Sequence, residues 1–435
     1  MLARVESYLE RFAALHPRKI DLSLGRIERL LAKLGDPQKR LPPVIHVAGT
    51  NGKGSTIAFM RACLEAEGRR VHVYTSPHLV RFNERIRLSG ELVDDARLAE
   101  ALSLIDAVNN GETITFFEAT TAAAFALFSE TPADALLLEV GLGGRYDATN
   151  VIEAPAATVI APVSLDHVEW FGSTIPEIAY EKAGILRAGA PAIIGDQSPE
   201  GLAVIEREAA RLDAPRFVSG RDFHVSFENG RLVYEDEAGL LDLPPPRLPG
   251  RHQFGNAGLA VATLRRLWPE IPASALDRGL RSAEWPARLQ RLRLGPLTRL
   301  GPKPAEIWLD GAHNEDGGRA LAEAMADFED AAPAPLVLIA ASLASKDTRG
   351  FLAHFRGLAQ EALCVPLSGE HAGRSAEEVA AIARAVGLPA AASDSVASAL
   401  EFFAARSWPS PPRILIIGSL YLAGDVLKAN DEAPH

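Results

Sequence analysis

The chain has 435 residues, 47% of them apolar and 23% charged, a composition of ordinary globular proteins rather than of disordered or fibrous ones. That length exceeds what one typical core holds, so two domains are expected. A net charge of −11 without any basic run argues against nucleic-acid binding, two distant cysteines (Cys63 and Cys364) argue against a disulfide framework or a cysteine metal site, and no apolar run reaches the roughly 18 residues of a membrane span.

Residues 1–40 read as charged amphipathic helices without the charged-then-apolar order of a signal peptide. With the sparse cysteines, this leads us to expect a cytoplasmic protein.

An apolar, β-branched stretch at 44–47 then runs into Gly49-Thr50-Asn51-Gly52-Lys53-Gly54-Ser55-Thr56, and a helical pattern continues to 67. Strand, glycine-rich turn and helix form the layout of a phosphate-binding loop, where backbone N–H groups and the helix N-terminus meet the anion. Lys53 can reach outer phosphates, and the hydroxyl of Ser55 or Thr56 can face a metal ion. The common spacing G-x-x-x-x-G-K-[ST] is not met: its first glycine would fall on Val47, and Gly54 takes the Ser/Thr place. Only 8 of the 45 basic residues are lysines, which makes a lysine inside a structured motif noteworthy; Lys53 and Lys182 are the two that stand out.

Further strands are expected at 71–74, 135–140, 158–161 and 192–194, with helices at 95–108, 118–129 and 175–186. Such alternation implies a parallel sheet covered on both faces, with ligands at the loops that follow the strands. Thr75-Ser76-Pro77-His78 follows one strand. The next segment, residues 81–87, is too polar for a strand; it is either a plain surface loop or a set of cations, Arg81 among them, offered to an acidic substrate. Thr115-Phe116-Phe117-Glu118 is either core or a ring-stacking surface. Glu139 ends an apolar strand, a costly place for a charge unless a metal or cation pairs with it. Three glycines follow it (Gly141, Gly143, Gly144), then Arg145-Tyr146-Asp147. Mg²⁺ held by a carboxylate plus phosphates would suit Glu139, and an ion pair with Arg145 is the plainer alternative. His167, in Ser164-Leu165-Asp166-His167, sits on the same expected edge, although Mg²⁺ prefers oxygen donors. Lys182 lies on an otherwise apolar helix, where a snorkelling lysine is the simple reading.

Residues 215–243 carry a hairpin signal around Asn229-Gly230, read as a small antiparallel appendage. A proline-rich connection and a helix at 255–267 follow. Trp285-Pro286 breaks the chain, and a second α/β series begins with strands at 306–309, 336–340, 362–365 and 414–417. Its first strand ends in Asp310-Gly311-Ala312-His313-Asn314.

Taken together, these motifs, with Trp285-Pro286-Ala287-Arg288-Leu289 and Gly418-Ser419-Leu420-Tyr421, resemble the folylpolyglutamate synthase/dihydrofolate synthase family of the Mur-ligase superfamily; they run from 44 to 421 in the family's order. The resemblance implies an α/β protein. An ATP-binding P-loop domain with a parallel sheet and a small β appendage (residues 1–286) would precede a smaller Rossmann-like C-terminal domain (residues 287–435). It implies joining of a carboxylate and an amine at the expense of ATP, through an acyl phosphate. Gly49 to Thr56, Asn256, Arg288 and Asp310 would contact ATP, and Ser76, Glu139 and His167 would hold Mg²⁺. Lys182 matches a lysine that is carbamylated in the superfamily. His313 and Asp310 match C-terminal positions near ATP and are assigned catalytic roles with Lys53 and Lys182. Arg81, Phe117 and Asp147 match the pterin region, and Ser419 a position that helps bind glutamate. Tyr146 departs from the family's leucine-like residue.

The implied partners are small molecules (dihydropteroate, folates and L-glutamate), with no nucleic acid, no membrane and a monomeric enzyme. A synthase limited to folates, or a Mur-type ligase of a UDP-linked precursor, remains the alternative; the latter would need more residues before the P-loop. A P-loop phosphotransferase would leave Asp310–Asn314 without a purpose, and a module without catalysis would not need Lys53, Glu139, His167 and Lys182 together.

Overall fold

The computed structural model describes residues 2–16, 21–369 and 372–434. Among them the chain forms two compact units. The first runs up to Ser164 and takes in Val168–Arg247 and Phe254–Ala283; the second takes Leu165–His167, Leu248–Gln253 and the chain from Glu284 on. No helix among the described residues is long and apolar enough to cross a membrane.

The first unit is built on eight strands: β1 (Val44–Ala48), β2 (Val71–Tyr74), β3 (Ile86–Leu88), β4 (Glu91–Leu92), β5 (Ala135–Glu139), β6 (Ala157–Ile160), β7 (Ala192–Ile194) and β8 (Arg216–Val218). Their order is β4-β3-β2-β5-β1-β6-β7-β8. All neighbours are parallel except the β2–β3 and β3–β4 pairs. β1, β2, β5, β6 and β7 are buried along their whole length, which is why they read as unbroken apolar runs rather than alternating ones.

β3 corrects the expectation that 81–87 holds no strand. Ile86 and Leu88 are buried on either side of Arg87, so the alternation of an antiparallel edge was hidden among arginines. Burial, then the nearby Arg61, pulls the Arg87 guanidinium down to about 10. Residues 216–218 likewise join the main sheet rather than the appendage.

The appendage is a three-stranded meander of β9 (Phe223–Glu228), β10 (Arg231–Asp236) and β11 (Gly239–Leu243), one strand more than the hairpin signal showed. Asn229 and Gly230 both have positive φ, as a type I′ turn requires. Arg265 of the helix His252–Leu267 forks onto Asp236, at 2.7 and 2.6 Å, and fixes the meander to that helix.

The second unit holds six strands: β12 (Gln290–Arg291), β13 (Glu306–Leu309), β14 (Leu336–Ala340), β15 (Glu361–Cys364), β16 (Ala390–Ala392) and β17 (Arg413–Ile417), in the order β12-β13-β17-β14-β15-β16. All are parallel but β12. β12 and β16 were not anticipated: two polar residues and three alanines carry no strand signal. Both cysteines are buried free thiols, one in each unit, pushed up to about 12 by burial.

The P-loop helix, Lys53–Ala66, packs against the helix Ala273–Ser282 at very close range. A Cβ on Gly279 would lie 2.5 Å from both Cα and N of Cys63. Gly279→Ala gains about 1 kcal/mol of helix propensity. Because the obstacle is backbone, no rotamer relieves it, and overpacking of about 1–3 kcal/mol should win. The urea midpoint of that variant should therefore fall; a midpoint at or above the parent's would show that the helices can separate freely.

Candidate active site

Strand register creates the site. In the parallel ladder Val47 pairs with Glu139 and Ala48 with Ile160, so β1, β5 and β6 end level at one edge. The loop after β1 turns on Gly49 (φ +150°) and Gly52 (φ +85°), and Gly52 precedes the helix that starts at Lys53. The amides of Thr50 and Asn51 donate to the Pro162 carbonyl, at 2.9 and 3.3 Å, tying the loop to the chain after β6. Lys53 Nζ donates to the carbonyls of Gly49 (3.1 Å) and Thr50 (3.3 Å) and lies 4.0 Å from Glu139 Oε1. Asn256 also reaches the loop: a Cβ on Gly52 would lie 2.3 Å from its Oδ1. Ser55 and Thr56 are buried in the first turn beside Gly54, and Thr56 Oγ1 has no hydrogen-bond partner.

Glu139 is 5% exposed, and its Oε2 accepts from the Ser76 amide at 3.1 Å. The alternative pairing with Arg145 does not occur. Arg145 instead stacks 3.9 Å over Tyr180, donates to its carbonyl and lies 3.6 Å from Glu208.

Gly144, the last of the three glycines after Glu139, packs closely against the turn that carries Lys182. A Cβ on Gly144 would stand 2.6 Å from the Glu181 carbonyl oxygen, and one on Gly184 would stand 2.4 Å from Arg145 Cα. Lys182 ends the helix Ile175–Lys182, is 7% exposed, and donates to the Gly143 carbonyl at 3.4 Å, with the Phe171 ring 5.9 Å away. It is buried rather than snorkelling.

Phe117 packs its ring onto Gly141, where a Cβ would be only 2.4 Å from Cζ, and lies 6.1 Å from Tyr74. Asp147 is buried. Its Oδ2 accepts from Leu142 N (2.8 Å), and its Oδ1 accepts from the amide (2.9 Å) and hydroxyl (2.5 Å) of Thr149. Burial raises its carboxyl, and these donors partly offset the rise. Because the Thr149 hydroxyl donates to Asp147, its oxygen accepts from His46 Nε2 at 2.8 Å. Burial, with the charge of Arg187, pushes the His46 imidazole down to about 3. Arg81 is half exposed and pairs with Asp95 at 2.7 Å.

In the second unit, Asp310 spends both carboxylate oxygens on backbone amides, Leu289 N and Ala312 N, each at 2.7 Å. Gly311 N adds a bond to the Ala287 carbonyl. These bonds hold Ala287 and Leu289 at positive φ on either side of Arg288. Arg288 Nη1 would be 3.7 Å from a Cβ on Gly311, so the Asp310 turn and Arg288 are brought together. Ser419 caps the helix Leu420–Ala429 through Tyr421 N, at 3.1 Å. His313 Nδ1 donates to the Gly311 carbonyl (2.8 Å), and its Nε2 is 3.6 Å from Asp166. His167 sits at φ +52°, its amide donating to the Asp166 side chain at 2.9 Å.

Two residues escaped the sequence reading. Asp166 and Lys346 form a 2.5 Å ion pair, their side chains 10% and 8% exposed. Burial would raise the Asp166 carboxyl, but the nearby His313 ring and the charge of Lys346 hold it well below the usual carboxylate range. The available signal was the scarcity of lysines: Lys346 lies just after an apolar strand.

Residues 47–264 match the Mur ligase middle domain. The dihydrofolate synthase/folylpolyglutamate synthase of Bacillus subtilis is 40% identical over 320 residues, 69% of this chain and 71% of that one. The chain belongs to the dihydrofolate synthase/folylpolyglutamate synthase family. Its fold is that of the family across nearly its whole length. An Escherichia coli FolC structure in complex with DHPP and ADP superposes with a TM-score of 0.88 at 32% identity, covering 98% of this chain and 97% of that one. A Yersinia pestis bifunctional folylpolyglutamate synthase/dihydrofolate synthase complexed with AMPPNP and Mn ion gives 0.86 at 31%, covering 98% and 97%.

Folding must keep His46 neutral, whereas the unfolded chain protonates it near pH 6.5. Between about 6.5 and 3 the unfolded state therefore binds the extra proton, and stability falls as pH falls through that window. Replacing His46 by Gln, which keeps a donor for Thr149, should flatten the fall of unfolding free energy between pH 6 and 4.5 by up to about 1.4 kcal/mol per pH unit. Parallel curves for parent and variant would mean that His46 is protonated in the folded protein.

Proposed function

We propose that this family member is an ATP-dependent ligase that joins L-glutamate to dihydropteroate and to folates through an acyl phosphate. The observation that carries this reading is the meeting of Lys53, the Gly49–Thr56 loop and buried Glu139 at the carboxyl edge of one parallel sheet.

A carboxylate is a poor electrophile. Transfer of the γ-phosphoryl group to it, with release of ADP, replaces an oxide-like leaving group by phosphate. The glutamate amine then attacks the acyl carbon, phosphate leaves with the bonding pair, and the amine gives up a proton. Charge spreads over the transferring phosphoryl, so fixed donors matter most there. In this reading Lys53 leaves the Gly49 and Thr50 carbonyls for the phosphates. The amides of Gly49 to Thr56 hold the phosphate oxygens, with Asn256, Arg288 and the Asp310 turn on the nucleotide. Residues 1–286 would form the ATP-binding domain and 287–435 the C-terminal ligase domain.

Among the described residues no group of three or more His, Cys, Asp or Glu is placed to hold a metal ion by itself. One buried carboxylate at a strand end fits Mg²⁺, which leans on nucleotide phosphates and keeps much of its water. Ser76, Glu139 and His167 would hold it; when bound, it neutralises charge between the phosphates. Lys182, once carbamylated, would present a carboxylate in place of a cation. Arg81, Phe117 and Asp147 would face the pterin, and His313 and Ser419 the glutamate. The reading carries with it a monomeric, cytoplasmic enzyme with small-molecule partners.

ADP release from ATP and Mg²⁺ should depend on L-glutamate together with dihydropteroate or tetrahydrofolate. Release with tetrahydrofolate alone would reduce the enzyme to a folylpolyglutamate synthase, and release without either acid would defeat the ligase reading. Lys53→Ala should lower kcat by about 10²–10³, as loss of one key electrostatic donor does. Near-normal turnover would remove the phosphate-loop role.

A further inference from the structure

The Asp166–Lys346 pair asks for a reason beyond stability. A buried ion pair is weak stabilisation, because removing both charges is often neutral. Its surroundings show a part built to hold one position. The loop after β14 is locked: Ser342 and Thr348 share a 2.6 Å hydroxyl bond, and Arg374 donates to Thr348. Lys346 N donates to the Leu343 carbonyl, the Lys346 carbonyl accepts from Thr348 N, and Asp347 caps the helix Thr348–Ala353 through Gly350 N. Lys346 Nζ is thereby a preset charge.

Opposite it, Asp166 distributes that fixed position. Its Oδ1 accepts from Lys346 Nζ at 2.5 Å and from the His167 amide at 2.9 Å. Its Oδ2 accepts from Asn314 Nδ2 at 3.2 Å and lies 3.6 Å from His313 Nε2 and 3.8 Å from His167 Nε2. His167 holds φ +52°, a conformation that a residue other than glycine keeps where its neighbours enforce it. The Asp166 carboxylate is the enforcing neighbour, and Lys346 is what holds that carboxylate in place.

We propose that Lys346 is a positioning residue that acts through Asp166 to aim the His167 imidazole at the divalent cation of the nucleotide complex. This rests on the reading of His167 as a ligand of that cation. Partners one step out from a metal ligand commonly carry 10- to 100-fold in affinity, about the effect expected here.

The test is Mn²⁺ binding to the ADP complex, followed by electron paramagnetic resonance. Lys346→Met should weaken Mn²⁺ at least about 10-fold while ADP binding in EDTA stays at the parent value, and Lys346→Arg should restore part of the loss. The double variant Lys346→Met/Asp166→Asn removes both charges, guards against misfolding of the single one, and should show the same Mn²⁺ loss. Unchanged Mn²⁺ affinity beside a lowered melting temperature would overturn the proposal in favour of a purely structural pair. A rise confined to the KM for glutamate would overturn it in favour of direct substrate contact. His167→Ala, measured alongside, separates the two claims. If it weakens Mn²⁺ and Lys346→Met does not, the positioning role fails and the ligand reading stands; if His167→Ala leaves Mn²⁺ affinity unchanged, both fall.

Discussion

Everything at the carboxyl edge of the first unit's sheet depends on the parallel register of β1 against β5 and β6. Pairing of Val47 with Glu139 and Ala48 with Ile160 lets three buried strands end level, so their loops leave from one line. A slip of one residue would turn Glu139 to the other face of the sheet. In the register found, Glu139 lies between the Ser76 amide and the Lys53 ammonium, and the Thr50 and Asn51 amides close onto the Pro162 carbonyl. Burying a carboxylate costs several kcal/mol unless donors replace its water. The loops that leave this edge supply donors of that kind, the Ser76 amide and the Lys53 ammonium among them.

The acidic residues of the motifs do different jobs, and the difference lies in where their oxygens go. Glu139 gives one oxygen to a backbone amide and turns the other toward a lysine. Asp147 and Asp310 give both oxygens to donors within a few residues of their own turns or of the neighbouring segment. A hydrogen bond to a charged group contributes about 1.5–3 kcal/mol, enough to hold a turn at positive φ. Asp310 therefore acts on Arg288 and His313 by shaping the backbone that carries them, and Asp147 does the same for the chain from Gly141 to Thr149.

How much of this could be read from the sequence follows the same physics. The central strands of both sheets were legible because full burial demands apolar runs, and the P-loop was legible because only glycines allow its φ values and its approach to Asn256. β3 was hidden because a half-buried antiparallel strand needs only Ile86 and Leu88 inside, and β16 because three alanines carry no preference. Pairing across long separations was not legible at all. Nothing in Leu165-Asp166-His167 points to a lysine 180 positions further on, and Glu139 had an arginine much nearer in sequence than the lysine it faces. The family resemblance implied roles for residues, but it did not contain the partner of Asp166.

The two glycine-bearing segments, Gly141–Gly144 and the turn ending at Gly184, behave as one part made from two pieces of chain. Within its own segment neither Gly144 nor Gly184 meets an obstacle to a side chain; the obstacle is the other segment. Together they bring backbone to backbone, with Arg145 N bonded to the Glu181 carbonyl at 3.0 Å and no room for a Cβ on Gly144 or Gly184. Lys182 stands beside that contact, and its Nζ donates to the Gly143 carbonyl at 3.4 Å. A methyl on either glycine would force the turn outward and carry the lysine with it. The placement of the one buried lysine on this helix is thus a property of packing.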